Sequence, residues 1–122
     1  MSNEIEVRQQ TMVVKLAKDG QELINQMTPL KMHLQHMAIG VSGEAGELVD
    51  AIKKGTIYNR ELDIENIIEE LGDLEFYMEG VRGALGLTRE QTLEANIAKL
   101  SKRYPDDSYT DKHAEARLDK QS

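Results

Sequence analysis

The chain has 122 residues, 39% of them hydrophobic, and 15 Lys and Arg stand against 22 Asp and Glu for a formal charge of −7. That length supports one domain around one core, and the acidic balance argues against a nucleic-acid polymer as partner, because such binding needs a basic surface to displace counterions. Cysteine is absent, which excludes disulfide frameworks and thiolate metal sites; with no signal peptide or long apolar run to be read, the expectation is a cytoplasmic protein with no membrane partner.

Four amphipathic helical patterns follow one another. The first covers roughly 3–27, with Ile5, Met12, Leu16, Leu23 and Met27 at three-and-four spacing, an interruption at Gly20 and a stop at Thr28-Pro29. Pro29 suits the first turn of the second helix, about 29–54, where Leu30, Leu34, Met37, Val41, Ala45, Leu48 and Ile52 form one stripe. Lys53 and Lys54 followed by Gly55 mark its C-terminus. Residues 56–62 connect to a third helix, about 63–85, capped by Asp63 and striped by Ile64, Ile67, Leu71, Leu74, Met78, Val81 and Leu85. Gly86 stops it. A capping box of Thr88 and Gln91 opens the fourth helix, about 88–103, with Leu93, Ile97, Leu100 and Tyr104 apolar and Pro105 closing it. The expected architecture is therefore all-α, a four-helix bundle over residues 1–105, with a loose polar C-terminal tail over 106–122 that could form a short exposed helix.

The second and third helices carry acids on the shoulders of their stripes. At about 100° per residue, Glu44 lies about 60° and Glu47 about 120° from the centre of one stripe; Glu70 and Asp73 lie about 70° and about 130° from the other, in the same rotational sense. Between antiparallel neighbours those displacements converge on one groove. Acids gathered beside an apolar core repel one another and lose hydration, and a divalent cation relieves both. An all-oxygen set favours Mg²⁺, with Mn²⁺ as a substitute, and suits a polyphosphate substrate. A lone E-x-x-E is more simply a solvated face, and Glu65, Glu69, Glu75 and Glu79 are read that way. Gly40, Gly43, Gly46 and Gly72 each weaken a helix by about 1 kcal/mol relative to alanine, so a close approach of a helix or of substrate is expected at them.

The segments GEAGELVDAIKK, EELGDLEFY and EANIAKLSKRYP, in that order over roughly 30–105, resemble the MazG-like all-α nucleotide pyrophosphohydrolases. Where that family often has E-E-x-x-E, Gly43 stands in the leading position, a form similar to the dCTP pyrophosphatase branch. The resemblance implies Mg²⁺-dependent hydrolysis of a nucleoside triphosphate to the monophosphate and pyrophosphate, with Glu44, Glu47, Glu70 and Asp73 as catalytic metal ligands, in a homodimer or homotetramer. Phosphoribosyl-ATP pyrophosphatase shares such acid pairs and is one alternative; a non-catalytic helical interaction module is another.

Other residues support the triphosphate expectation. Asn96, Lys99 and Arg103 follow one another at i, i+3 and i+7 on the fourth helix and form a candidate phosphate-binding row, similar to an N-x-x-K-x-x-x-R pattern of the family. Lys54 shares a face with Glu47 and can reach phosphate or serve the helix C-terminus. Tyr77, four residues after Asp73, resembles the aromatic that contacts the nucleotide in the dCTP pyrophosphatase branch, or else packs at the edge of the bundle. His33 shares a face with Glu44 and His36 with Glu47, so each is a candidate for base or phosphate contact or for a satisfied interior histidine. Ile68 and Phe76 point off the main stripe, toward an expected subunit interface.

Overall fold

The computed structural model describes residues 3–121, all helix, turn and loop with no strand among them. The chain divides into two compact units, with the boundary between Met32 and His33.

In the first unit the single helix expected over 3–27 is two: α1, Asn3–Leu16, and α2, Gly20–Gln26. The break falls where Asp19 turns its carboxylate back to accept from the Glu22 amide at 3.3 Å. Aspartate competes for backbone donors in this way, and the following glycine is a poor helix former, so the chain restarts the helix. No residue of α1 or α2 is buried. Thr28 accepts from the Lys31 amide at 3.1 Å, and Pro29 opens the next helix as expected.

That helix, α3, spans Pro29–Thr56, and α4 spans Ile64–Ala84. Asp63 caps α4 by accepting from the Asn66 amide at 3.1 Å. At its other end Gly86 adopts φ +69, which lets the Leu87 amide reach back to the Arg82 carbonyl at 2.9 Å and the Gly86 amide to that of Gly83 at 3.3 Å. The capping box is complete: the Gln91 amide donates to Thr88 Oγ1 and the Thr88 amide to Gln91 Oε1, opening α5, Arg89–Arg103.

Two glycines set the α3–α4 contact. A Cβ at Gly40 would run into the Tyr77 ring, and one at Gly80 would run into the Met37 side chain, so each helix receives a large residue of the other where it has none of its own. A Cβ on Gly43, Gly46 or Gly72 meets open space within the chain, so among the described residues no neighbouring helix makes the expected close approach at these three. Gly55 lies inside α3 rather than past its end, with Leu62 folded over it.

The segment after α5 includes the short helix that the sequence allowed and is otherwise more ordered than a loose tail. It forms a 3₁₀ turn at Pro105–Asp107, α6 at Asp111–Ala116 and a second 3₁₀ turn at Leu118–Lys120, all against α5. Apolar burial is meagre: among the described residues only Met37 and Ala51 are buried hydrophobics, while Ile68 and Phe76 are 62% and 67% exposed. No helix among the described residues is long and apolar enough to cross a membrane.

Candidate functional site

Where α3 meets α4, Glu44, Glu70 and Asp73 each place a carboxylate oxygen within 4.8 Å of the others. The turn from Gly40 to Glu44 on α3 and the turns from Glu70 through Asp73 to Tyr77 on α4 run along the same contact, so the packing of Tyr77 on Gly40 fixes the register of the acids. Glu44 and Glu70 are half-buried and Asp73 is exposed. Glu70 Oε2 is buried with no hydrogen-bond partner. The Glu70 carboxyl is held above its usual pKa, first by loss of hydration, then by hydrogen bonding to the Glu44 carboxyl, and further by the negative charges of Glu44, Glu47 and Asp73. An uncompensated buried oxygen among like charges is the environment that a hard cation relieves, and the all-carboxylate set fits Mg²⁺ or Mn²⁺ by its chemistry.

Glu47 stands apart. It is exposed, and its carboxylate is not among the oxygens that lie within 4.8 Å of one another. Its charge still reaches Glu70.

The remaining expected residues are distributed over several places. Tyr77 packs against Gly40, with its ring edge-on to Phe76 at 5.2 Å and to His36 at 6.3 Å. His33 is exposed and lines an opening with Met37, Glu79 and Arg82 rather than the acid cluster. Lys54, Asn96 and Lys99 are exposed, and their side chains make no hydrogen bond or ion pair among the described residues. Arg103 is engaged: its Nε donates to Asp119 Oδ1 at 2.8 Å and its Nη2 to Asp119 Oδ2 at 3.2 Å.

Arg82 has no counterpart among the expected site residues, although it is buried. Its Nε donates to Glu79 at 2.9 Å and its Nη2 to Glu75 at 3.2 Å, while Arg89 stands 3.7 Å from Glu75. Glu75 and Glu79 are thus ion-pair partners, not merely solvated acids. The signal was in the spacing, since Arg82 falls at i+3 from Glu79 and i+7 from Glu75 on one helix. The guanidinium borders an open cavity of about 420 Å³ reaching Val41 on α3 and Leu93 on α5, and no carboxylate of the acid cluster lines it.

The fold and the acid trio define an all-α protein with a candidate divalent-cation centre between two helices. Residues 32–107, more than half the chain, match the MazG nucleotide pyrophosphohydrolase domain, and the protein belongs to that family. No curated protein and no solved structure matches the chain significantly.

Proposed function

We propose that this protein is a Mg²⁺-dependent nucleoside triphosphate pyrophosphohydrolase that converts (d)NTP to (d)NMP and pyrophosphate. The single observation that carries the reading is Glu70, whose buried, unpartnered oxygen sits among the acids of Glu44 and Asp73 in a chain of the MazG family. Glu44, Glu70 and Asp73 would hold the cation, with Glu47 adding charge from the rim. When bound, the ion supplies neutralisation of the triphosphate and activation of water for attack at the α-phosphorus, where the bond to the bridging oxygen breaks and pyrophosphate departs. The chain's own groups supply binding and alignment. Exposed Asn96 and Lys99 are free to take phosphate oxygens, and Tyr77 offers an aromatic edge one turn from Asp73. The G-E-x-G-E-L form of the first motif supports a deoxycytidine triphosphate-like substrate.

The active form is a homodimer or homotetramer in which further copies complete the helical bundle. Meagre burial of apolar side chains supports this, as do exposed Ile68 and Phe76 and the open backbone at Gly43, Gly46 and Gly72. The test is a panel of (d)NTPs with Mg²⁺, assayed for pyrophosphate and monophosphate. Turnover of at least one, lost on chelation, is expected; an inert protein across the whole panel overturns the reading.

A further inference from the structure

We propose that Arg103 is an anion site with two competing occupants, the Asp119 carboxylate of the chain's own C-terminal segment and a phosphate of the bound nucleotide, so that nucleotide binding releases that segment from α5. The inference rests on the pyrophosphohydrolase reading and adds to it a device that regulates access to the phosphate row.

Asp119 fills the guanidinium fork of Arg103 as a phosphate would, through two oxygens on two donor nitrogens. The Asp119 side chain is only 5% exposed and that of Arg103 18%, whereas Asn96 and Lys99, on the same row of α5, are exposed. The terminal member of the row is therefore occupied and the other two are open. The pair is the one ion pair between the segment and α5 among the described residues, and it sits within a wider docking of both 3₁₀ turns and α6 on that helix. Beside it Lys102 Nζ donates to the Gln121 carbonyl at 3.4 Å, Tyr104 and Tyr109 lie with ring centroids 5.4 Å apart, and Ala114, Ala116 and Leu118 are half-buried.

Within the segment, Asp106, Asp107 and Arg117 all have left-handed backbones, at φ +66, +54 and +48. Side chains other than glycine disfavour that region, aspartate least and arginine more. Release of the segment relaxes all three. A doubly charged phosphate presents the same oxygen geometry with more charge than a carboxylate, so it takes the fork in exchange, and the relaxed backbone adds to the balance. The docked segment correspondingly weakens triphosphate binding by the fraction of time that it holds Arg103.

The experiment measures hydrogen exchange of residues 111–121 in the full wild-type chain with Mg²⁺ and inorganic tripolyphosphate, against NaCl at equal ionic strength, while calorimetry follows binding. Exchange that rises saturably with tripolyphosphate and not with chloride is expected. Asp119→Asn, which keeps the shape and removes the charge, should show raised exchange without ligand and a KM for the best (d)NTP lowered about fivefold, with kcat little changed. Binding and turnover with unchanged exchange overturn the competition alone, as does an unaltered KM in Asp119→Asn. Absence of both tripolyphosphate binding and (d)NTP turnover overturns the enzymatic reading, and the competition with it. The wild-type exchange needs no variant to fold.

Discussion

Glu70 on α4 faces Glu44 on α3 with one of its oxygens buried and unpaired, and the proximity of Glu44 adds to the loss of hydration that holds the Glu70 carboxyl above its usual pKa. Glu70→Gln removes the charge and keeps the shape. Its melting temperature without metal should equal or exceed that of the wild type, because a buried like charge is relieved. Its Mg²⁺-induced stabilisation should vanish, and pyrophosphate release should fall by at least about a hundredfold, the upper end of effects seen for groups that merely support metal ligands. Thermal melts with and without Mg²⁺, beside a pyrophosphate assay, check both. A variant that keeps its Mg²⁺ response removes Glu70 from the ligand set.

Gly40 and Gly83 make a matched pair for stability. Alanine at Gly40 gains about 1 kcal/mol of helix propensity but drives a methyl into the rigid Tyr77 ring, and such overpacking costs about 1–3 kcal/mol. Gly40→Ala should therefore be neutral to destabilising by about 2 kcal/mol and should disturb the acid cluster one turn away. Alanine at Gly83 meets open space and should stabilise by about 0.5–1 kcal/mol. Denaturant melts should place Gly83→Ala above the wild type and Gly40→Ala at or below it.

Arg82 is held by two acids whose own side chains are about half exposed. Removing one acid leaves the guanidinium its other partner, so Glu79→Gln should lower the melting temperature only slightly. Arg82→Ala removes both ion pairs and the packed aliphatic stem, and a drop of about 5–10 °C is expected. Equal effects of the two substitutions would show that neither the stem nor the pair with Glu75 contributes.

Assembly has a concentration signature. In the proposed homo-oligomer, with so few apolar side chains buried within one chain, folding and association are linked, so the melting temperature should rise with protein concentration. Sedimentation at micromolar concentration should show a dimer or tetramer. A concentration-independent melt of a sedimenting monomer would contradict the assembly.

The C-terminal segment should respond to acid with a defined sign. Hydrogen bonding to Arg103, outweighing the opposing loss of hydration, holds the Asp119 carboxyl below its usual pKa. A carboxylate depressed in the folded state stabilises above its unfolded pKa and loses that contribution as pH falls through the folded value. Exchange protection of residues 111–121, corrected for intrinsic rates, should thus be flat from about pH 8 to 5 and fail only below about pH 4. Loss of protection near neutrality would exclude Asp119 as the group that holds the segment.

Amino-acid order alone settled whatever depends on neighbours within a turn or two. The Asp63 cap, the Gly86 reversal and the Thr88–Gln91 box each close hydrogen bonds over a few residues, and all three are found where the residues announce them. The acids were also legible, because about 100° per residue puts Glu44, Glu47, Glu70 and Asp73 on the stripe shoulders whatever lies opposite. Tertiary structure alone decided that Glu47 stays outside the trio and that Gly40, but not Gly43, meets a neighbouring side chain, since both depend on how far one helix slides along the other. It alone paired Arg103 with Asp119, 16 residues later. An ion pair across a chain reversal leaves no periodic trace, because the turns between its partners, not their spacing, bring the charges together.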